Sequence, residues 1–490
     1  MSEILVIGAG VGGMACAARL ATKGHRVHVV EQSSTYGGKL GTYERDHFVF
    51  DTGPSLFTLP AVYRDLFLKT GGALEDSVEL VELPIAFHYH FADGSSVQMP
   101  GVDPGRCARA LADGLGPRAF DEWRAFIARA GEIWRLTRQP FLQSPLTGIK
   151  DITALARSPR DIRTVAPFTS LRSLATSYLS DPRLITLVDR YATYQGSDPR
   201  RAPAALATIP YVEQTFGAWH IAGGVRSLAD ALYQRCIERG VVFSFNKDVR
   251  GITMTDGRVD GVRFDDCTQS ADVVVANADA TQVYEHLLPH GVGARELRRL
   301  RKATPSLAGF VMLLAVQGTT PGIEHHNVWF PADYDAEFDA IFGRDPHPVD
   351  DPTVYACVPN DPAMRPDGHE AWFVLVNAPR HTASMNWNTP GLAERYADHV
   401  LAVLARRGVE LRDRVLWREL RSPSDLERAT RAPGGSIYGT SSNGARAAFL
   451  RPSNDSGIPG LYLVGGSAHP GGGLPLVGMS AEIVAELIGR

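Results

Sequence analysis

Ile4-Leu5-Val6-Ile7-Gly8-Ala9-Gly10-Val11-Gly12-Gly13 is the stretch that decides the fold. Its branched apolar residues are typical of a buried strand, and the G-x-G-x-x-G run is typical of a tight turn into a helix. Gly8 allows the sharp turn, Gly10 lets the backbone approach a pyrophosphate, and Gly13 lets the helix pack closely on the strand. The stretch therefore predicts a strand–turn–helix unit that binds a dinucleotide.

The residues that follow predict the rest of a βαβ unit. Residues 14–23 have a helical pattern that Gly24 ends, and Val27–Val30 read as the second strand. Glu31 stands at the end of that strand, where a carboxylate accepts a hydrogen bond from a ribose 2′-hydroxyl. An acidic residue there disfavours a 2′-phosphate, and therefore disfavours NADP in this site.

A second glycine-rich turn favours FAD over NAD. Gly37-Gly38-Lys39 follows the second strand, and such a run is the pattern of flavoproteins in which a second turn approaches the pyrophosphate. Lys39 adds a positive charge at this point. Phe50-Asp51-Thr52-Gly53-Pro54-Ser55 then predicts a rigid loop, as expected beside an isoalloxazine ring.

The C-terminal part of the chain carries a third glycine-rich turn. Residues 461–464 predict a strand, Gly465-Gly466-Ser467-Ala468-His469-Pro470-Gly471-Gly472-Gly473-Leu474-Pro475 a turn, and Val477–Ile488 a helix. Backbone N–H groups at such a helix start stabilise the negative charge that reduced flavin carries at N1/O2. His469 is the nearest titratable residue, so it is our candidate catalytic group; a loop histidine that bonds to the backbone is the open alternative.

The C-terminal turn closely resembles that of the bacterial-type phytoene desaturases, the carotenoid desaturase family. The resemblance covers nearly the whole chain, because the glycine-rich turns and several internal runs also match. The internal runs are Thr193-Tyr194-Gln195-Gly196, Ala202-Pro203, Ile209-Pro210-Tyr211-Val212-Glu213, Phe216-Gly217-Ala218-Trp219, Gly223-Gly224, His326-Asn327-Val328-Trp329-Phe330, Asp333-Tyr334 and Glu337-Phe338.

The resemblance implies non-covalent FAD and a lipophilic polyisoprenoid substrate taken from a membrane surface. It assigns the cofactor to Gly8, Gly10, Gly12, Gly13, Glu31, Gly37, Gly38, Lys39, Pro54, Val249, Gly465, Gly466, Pro470, Gly471, Gly473 and Met479. Within that set, Val249 is expected to meet the adenine region through its backbone. Tyr194, Glu213, Trp219 and His220 are candidates for a substrate channel, with ordinary core or surface placement open for each.

The implied reaction is FAD-dependent desaturation of an acyclic carotenoid, such as phytoene or a later carotenoid intermediate. One hydrogen leaves as hydride to flavin N5 and the other as a proton, while the polyene delocalises the developing positive charge. No second G-x-G-x-x-G and no dithiol pair is present, so we expect oxygen or a membrane quinone to reoxidise the flavin. The Gly-Gly-Ser-x-His form of the turn is similar to that of relatives acting on later carotenoids, including 3,4-desaturases and oxygenase-like members.

Other chemistries remain open for the same fold. A carotenoid oxygenase or isomerase and a flavin amine oxidase are the alternatives, and an aromatic cage near the flavin would be typical of the last. A carotenoid carrier that keeps FAD only as a structural part is a further alternative from another class.

Composition and charge limit the partners. The formal net charge of −4 is unlike the basic excess of nucleic-acid binders, so we expect no nucleic acid partner. The 5 cysteines lie far apart without a C-x-x-C, which predicts no metal site and a reducing cytoplasm.

We expect no cleavable signal and no spanning helix, since the most apolar run, Ala308–Val316, is about half of the ~20 residues a span needs. The arginines between Arg157 and Arg172 are either a solvated helix face or a surface for anionic lipid.

These observations predict an α/β protein with a Rossmann-like FAD-binding domain, an interleaved α+β substrate domain and a helical region that is a candidate for membrane association. The FAD-binding domain is expected to be discontinuous, with segments 1–65, 225–290 and 452–490. Segments 66–224 and 291–451 are expected to form the substrate-binding and helical regions.

Overall fold

The computed structural model describes residues 1–146, 158–444, 447 and 451–489. Its strands, in chain order, are β1 (Glu3–Ile7), β2 (Arg26–Val30), β3 (Thr42–Arg45), β4 (Phe48–Asp51), β5 (Phe57–Thr58), β6 (Leu80–Glu82), β7 (Ile85–His90), β8 (Ser96–Pro100), β9 (Ala218–Ile221), β10 (Val242–Ser244), β11 (Gly251–Thr255), β12 (Arg258–Arg263), β13 (Thr268–Ser270), β14 (Val273–Ala276), β15 (Ala308–Gln317), β16 (His326–Trp329), β17 (Val354–Cys357), β18 (His369–Ala378), β19 (Val415–Arg421) and β20 (Leu461–Leu463).

Helices connect and cover these strands. In chain order they are α1 (Val11–Thr22), α2 (Ala61–Thr70), α3 (Pro104–Leu115), α4 (Arg118–Thr137), α5 (Pro159–Val165), α6 (Leu171–Thr176), α7 (Pro182–Thr193), α8 (Thr208–Phe216), α9 (Arg226–Glu238), α10 (Ala280–Gln282), α11 (Ala294–Lys302), α12 (Tyr334–Phe342), α13 (Leu392–Arg406), α14 (Pro423–Thr430) and α15 (Leu474–Ile488).

The predicted nucleotide-binding unit forms a parallel five-stranded sheet in the order β10-β2-β1-β14-β20. β1 pairs in parallel with both β2 and β14, so that Leu5 lies opposite His28 on one side and Val274 on the other. Helices α1, α9 and α15 share one buried core with this sheet. A strand buried on both faces needs apolar residues throughout, which explains the unbroken run at Ile4–Ile7. The α/β fold class is therefore confirmed.

A small antiparallel sheet, β11-β12-β13, lies beside the parallel one. Asp256 and Gly257 form its hairpin turn with φ of 50° and 78°, as the Asp-Gly pair predicts. All the strands of both sheets fall within the three segments expected to form the FAD-binding domain, although the domain boundaries themselves stay a prediction.

Segments 66–224 and 291–451 together form a seven-stranded sheet, in the order β19-β15-β18-β17-β16-β7-β8. The apolar run at 308–316 is a central strand of this sheet, paired on both sides. α13 covers one face with an apolar core. On the edge formed by β7 and β8, helices α3, α4 and α7 make a second core. Segment 66–224, which reads as helix-rich, therefore also contributes two strands to a sheet built mainly from segment 291–451.

Across the ranges described, the structure contains no helix that combines the length and apolarity needed to cross a membrane. The arginine-rich stretch is divided between different environments. Arg157 lies outside the described residues, Arg160 and Arg163 are exposed on α5, and Arg172 pairs with Asp189 at 2.5 Å and Asp335 at 2.7 Å. Arg172 is thus committed to ion pairs within the protein.

Candidate active site

One large cavity of about 1260 Å³ connects the glycine-rich turns with an apolar compartment among the helices. Typical sites for one small ligand are about 300–1,000 Å³, so this cavity has room for more than one molecule. Of the predicted cofactor residues, its lining includes Gly8, Gly10, Gly12, Glu31, Gly37, Gly38, Lys39, Pro54, Val249, Gly465, Gly466, Pro470, Gly473 and Met479. Gly13 and Gly471 are not part of that lining.

The first turn presents free backbone donors to the cavity. α1 begins after Gly10, and among the described residues no side chain caps its N-terminus. The orphan N–H groups and the positive end of the helix dipole suit a pyrophosphate. Gly13 has its predicted packing role, because a Cβ there would lie 2.2 Å from the carbonyl oxygen of Gly8.

Asn277 joins the first and third turns, and sequence reasoning did not assign it to the site. It follows β14, its Nδ2 donates to the Gly8 carbonyl at 3.2 Å, and it lines the cavity. At Gly465, φ is +104° and a Cβ would lie 2.6 Å from Asn277 Oδ1. The amide side chain therefore requires a glycine at this point of the third turn.

Glu31 lies at the end of β2 and fixes the first turn. One carboxylate oxygen accepts from the Ala9 amide at 2.7 Å, and the other from the amide and hydroxyl of Ser33 at 2.9 and 2.6 Å. An ionised carboxylate has about four acceptor positions, so capacity for a ribose hydroxyl remains. Its role toward the cofactor stays a prediction.

The second turn is tied to the first and to α9. The Gly37 amide donates to the Ala9 carbonyl at 2.8 Å, while Arg226 Nη1 donates to the carbonyls of Tyr36 at 2.8 Å and Leu40 at 3.2 Å. Asp51, from the predicted rigid loop, accepts from the amide of Arg226 at 3.0 Å. Arg226 and Asp51 are site-forming residues whose partners are too distant in sequence to be predicted.

Lys39 lines the cavity, and its side chain is exposed there. Its Nζ donates to the Ile437 carbonyl at 2.6 Å. Desolvation by the protein atoms around the cavity lowers the pKa of Lys39, and the charge of Asp279, which also lines the cavity, opposes that shift. The ammonium group thus lies at the same cavity as the glycine-rich turns, and its role toward a pyrophosphate stays a prediction.

Val249 lies at the far end of the nucleotide cradle. It is buried and lines the cavity. Its backbone N–H and C=O have no hydrogen-bond partner in the part of the chain that the structure describes. Next to it, Asp248 forms a bidentate pair with Arg431, with both bonds at 2.8 Å. An unpaired buried amide suits the edge of an adenine base, which is the contact expected of Val249.

The third turn presents a second uncapped helix to the cavity. α15 begins after Gly473 with no side-chain cap. Gln195 Nε2 donates to the Gly472 carbonyl at 3.0 Å and fixes the turn from α7's end. Arg451 is buried behind it and donates to the carbonyls of Gly466 at 2.7 Å and Tyr438 at 3.0 Å. Burial lowers the pKa of Arg451 to about 10, so the group stays a cation at neutral pH.

His469 supports the third turn from behind. It is 1% exposed and does not line the cavity. Its Nε2 lies 2.7 Å from the carbonyl of Phe141 and 3.1 Å from that of Ser144, so this nitrogen carries a proton and donates. Burial lowers the pKa of His469 to about 4. The geometry matches the alternative of a backbone-bonded loop histidine.

The candidate channel residues divide into two pairs. Tyr194 and Glu213 line the cavity, whereas Trp219 and His220 lie on β9 outside it. Trp219 Nε1 donates to the Phe216 carbonyl at 2.9 Å, and His220 Nε2 lies 2.8 Å from Asp361 Oδ2. The structure therefore brings only the first pair to the cavity wall.

Glu213 and Arg190 form a polar centre in that wall. Glu213 accepts from the hydroxyls of Tyr191 at 2.6 Å and Tyr194 at 3.4 Å, and burial raises its pKa to about 7. The Arg190 guanidinium carbon lies 5.6 Å from the ring centre of Phe87, 5.3 Å from Tyr194 and 5.4 Å from Tyr355. Sequence reasoning missed Arg190, because one arginine in a helix usually lies on its solvated face.

Comparison with known proteins classifies this chain. The family model described as flavin-containing amine oxidoreductase matches residues 11–488. The chain belongs to that family.

Relatives and solved structures that are similar to this flavin oxidoreductase align with it over nearly its whole length. It is 31% identical to 4,4'-diapolycopene oxygenase of Methylomonas sp, covering 99% of this chain and 98% of the relative. It is 32% identical to 1-hydroxycarotenoid 3,4-desaturase of Flavobacterium sp. (strain P99-3), covering 100% and 99%. A putrescine oxidase double mutant shares the fold, with a TM-score of 0.65 at 13% identity over 100% of this chain and 99% of that one. The resemblance to carotenoid desaturases and the oxidoreductase class are thus confirmed.

FAD is the cofactor of this flavin oxidoreductase, and the cavity fits it. The two uncapped helix starts, the Lys39 ammonium and the unpaired Val249 amide all face one cavity. These groups suit the pyrophosphate, the flavin edge that becomes negative on reduction, and the adenine. The assignment of each residue to a part of FAD stays a prediction.

A cluster of histidines lies beyond the cavity wall. His325 and His326 precede and begin β16, and their ring nitrogens lie within 4.8 Å of each other and of Cys357 Sγ on β17. Burial lowers the pKa of His325 to about 3, so this imidazole is neutral. His326 Nδ1 lies 2.9 Å from the Tyr355 hydroxyl, which places the cluster behind a cavity-lining tyrosine. The spacing of the cysteines does not reveal this arrangement, which pairing of neighbouring strands creates.

Proposed function

We propose that this flavin oxidoreductase desaturates an acyclic carotenoid, such as phytoene or a later carotenoid intermediate. The observation that carries the proposal is the continuity of the cavity. From the turns that suit FAD it passes between apolar side chains and ends near exposed ones; its apolar lining includes Leu56, Trp134, Phe141, Ile209, Val212 and Phe168. A long hydrocarbon fits such a wall, and the names of the relatives favour a carotenoid.

Dehydrogenation requires a hydride acceptor and a proton acceptor. Bound FAD supplies the hydride acceptor, and the apolar wall excludes water and aligns the chain of the substrate. Glu213 is a buried carboxyl group of the cavity wall, and we assign it to receive the proton. Its pKa of about 7 suits a general base at neutral pH.

Amine oxidation is the less favoured alternative. Tyr194 and Tyr355 do form an aromatic cage at the cavity wall, but the Arg190 guanidinium already occupies it. A substrate ammonium would meet a like charge in a poorly solvated site, which is unfavourable. The cage therefore favours a substrate without positive charge.

The electron acceptor and the approach of the substrate are further parts of the proposal. Oxygen or a membrane quinone would reoxidise the flavin, and the enzyme would rest peripherally on the membrane that holds the substrate. Support comes from Phe168 and Ile162, which line the cavity and are also 89% and 44% exposed. Exposed apolar groups at a cavity mouth suit a lipid surface.

Anaerobic mixing with detergent-dispersed carotenoids tests the function. The proposal expects that phytoene or a more unsaturated acyclic carotenoid bleaches the flavin absorbance, and that the product has lost two hydrogens by mass with a red-shifted spectrum. Protein stripped of FAD serves as the control and should leave the pigment unchanged. If no acyclic carotenoid bleaches fully FAD-loaded enzyme while an amine does, the proposal is wrong.

A further inference from the structure

Arg190 is a permanent charge in a cavity wall that is otherwise mostly apolar. It lies on α7, is 7% exposed and lines the cavity. Among the described residues it forms no salt bridge, and its Nε has no hydrogen-bond partner. Arginine remains protonated in proteins, so this charge cannot be removed by titration.

The surroundings of Arg190 only partly compensate its burial. The three aromatic rings around it attract the cation through their faces, and the Tyr89 hydroxyl also lies near the guanidinium. Among the described residues, however, Arg190 Nε has no acceptor and no carboxylate pairs with the charge. Glu213 lowers the electrostatic cost of burying the Arg190 charge. It accepts its hydrogen bonds from two tyrosine hydroxyls, however, and not from the guanidinium. A buried charge without a partner is costly, and therefore an unpaired one at a cavity wall indicates that the ligand brings an acceptor.

Thr353 adds an independent observation at the same wall. It also lines the cavity and is 4% exposed, and its hydroxyl lies near the Tyr334 hydroxyl and the Glu337 carboxylate. Both Thr353 and Arg190 lie close to Tyr334. The Arg190 guanidinium and the Thr353 hydroxyl thus form a polar patch on one side of an apolar cavity, and a pure hydrocarbon offers no acceptor to the unpaired Nε of Arg190.

The polar patch lies on the flavin side of the cavity. Tyr355, whose ring faces Arg190, bonds to Ser55 of the predicted flavin loop at 2.7 Å. Tyr438, on which the charge of Arg190 also acts, packs against Gly472 of the third turn. A group held by Arg190 would thus be near the carbon that is oxidised.

We propose that Arg190 binds an oxygen function of the substrate, a hydroxyl or carbonyl close to the end of the polyene that is oxidised. This inference rests on the proposed function and narrows its substrate to an oxygenated polyene. A neutral oxygen suits the site better than a carboxylate, because Glu213 already provides a negative charge when ionised. The Arg190 guanidinium donates to the oxygen, and Thr353 can donate to it or accept from a hydroxyl.

The proposal predicts a strong preference between matched substrates. A site built to bond a polar substrate group rejects the analogue without it by roughly 10⁴-fold, because its own polar groups are left unpaired. We therefore expect kcat/KM for a polyene with one terminal hydroxyl to exceed that for the parent hydrocarbon by at least about 100-fold.

The test compares a polyene hydrocarbon with the same polyene bearing one terminal hydroxyl. Binding is measured by the shift of the bound FAD spectrum in the absence of turnover, and kcat/KM in its presence. Arg190→Met should weaken binding of the hydroxylated ligand and leave that of the hydrocarbon unchanged or tighter. Arg190→Lys keeps the charge but not the planar fork, and should retain part of the preference. Arg183→Met, in the same helix but outside the cavity, is the matched control.

Equal affinity of the unmodified enzyme for both ligands would overturn the inference without any variant. An equal loss of affinity for both ligands in Arg190→Met would also overturn it. If neither ligand bleaches the flavin but the hydroxylated one binds more tightly through Arg190, the proposed reaction fails while the recognition site stands.

Discussion

Glu31 shows how one side chain controls the nucleotide turn. Both of its carboxylate oxygens accept hydrogen bonds from backbone N–H groups, one from Ala9 and the other from Ser33. An N–H group can only donate. In Glu31→Gln, one oxygen becomes an NH2 group that faces a donor. Charge-assisted bonds contribute about 1.5–3 kcal/mol, so we expect the dissociation constant for FAD to rise roughly 10- to 100-fold.

Fluorescence titration of the FAD-free protein with FAD measures this change. Glu44→Gln is the matched control, because Glu44 is exposed on β3 and is not part of the cavity lining. An unchanged dissociation constant in Glu31→Gln would show that the turn does not depend on the carboxylate.

Glu213 gives the protein a defined pH dependence. Burial raises the pKa of Glu213 from 4.5 to about 7, so the native state holds a proton that the unfolded state has already released. The contribution of this proton to the free energy of unfolding is fully present below pH 4.5 and is lost as pH rises through about 7. Integrated over this shift, the contribution is about 3 kcal/mol.

Denaturant unfolding between pH 4.5 and 8 measures this contribution. In Glu213→Gln the group cannot titrate, so the fall in free energy of unfolding across this window should shrink by about 3 kcal/mol. Glu79→Gln, at an exposed position, should leave the profile unchanged. Identical profiles for the enzyme and Glu213→Gln would refute the raised pKa.

At the level of elements, Asp51 links a β-hairpin to the start of a helix. It ends β4, and its two oxygens accept from the amides of Val225 at 2.8 Å and Arg226 at 3.0 Å, at the uncapped start of α9. A carboxylate from another element thus does what an N-cap residue does locally. It also aligns Arg226 with the second glycine-rich turn.

Asp51→Ala should lower the free energy of unfolding by about 1–2 kcal/mol, the usual loss for a helix cap. Because Arg226 loses its alignment, FAD affinity should fall as well. Chemical denaturation and FAD titration measure the two effects. Asp113→Ala, an exposed aspartate in α3, is the control and should change neither. A stable Asp51→Ala with unchanged FAD affinity would contradict the linkage.

Elements with strong local signals were predictable from sequence. The strand at 4–7, the turn at Asp256-Gly257 and the helix ended by Gly24 depend on side chains a few residues apart, and the structure contains all three. β7 and β8 were not predicted, because β7 is stabilised by pairing with β16, which is more than 200 residues away in sequence, and β8 pairs only with β7 at the edge of the sheet. Non-local pairing leaves no periodic signal of its own.

The residues of the candidate site also divide into those with a local sequence signal and those placed by distant parts of the chain. The glycine-rich turns were predictable because their residue types match the chemistry of a pyrophosphate. Asn277, Arg226 and Arg190 were not, since each acts on a turn or ring from a distant part of the chain. His469 illustrates the reverse case: nearness in sequence to a flavin turn did not place its ring in the cavity.

For the whole molecule, one cavity extends from the FAD-binding sheet to an exposed apolar mouth. The mouth, defined here as Ile162 and Phe168, adjoins the exposed arginines Arg160 and Arg163. Apolar side chains beside cations suit an anionic membrane surface, into which the rings insert while the arginines meet phosphates. This arrangement would let a lipophilic substrate enter without crossing water.

Flotation with anionic liposomes at low salt tests the mouth as the membrane contact. Burying an aromatic or aliphatic side chain contributes about 1.5–3 kcal/mol, so Ile162→Ser with Phe168→Ser should reduce the partition coefficient at least tenfold. Leu68→Ser is the matched control, because Leu68 is 67% exposed on α2 and does not line the cavity. Co-flotation that the double variant retains would assign membrane contact to another surface, and an unmodified enzyme that does not float at all would remove the membrane from the proposal.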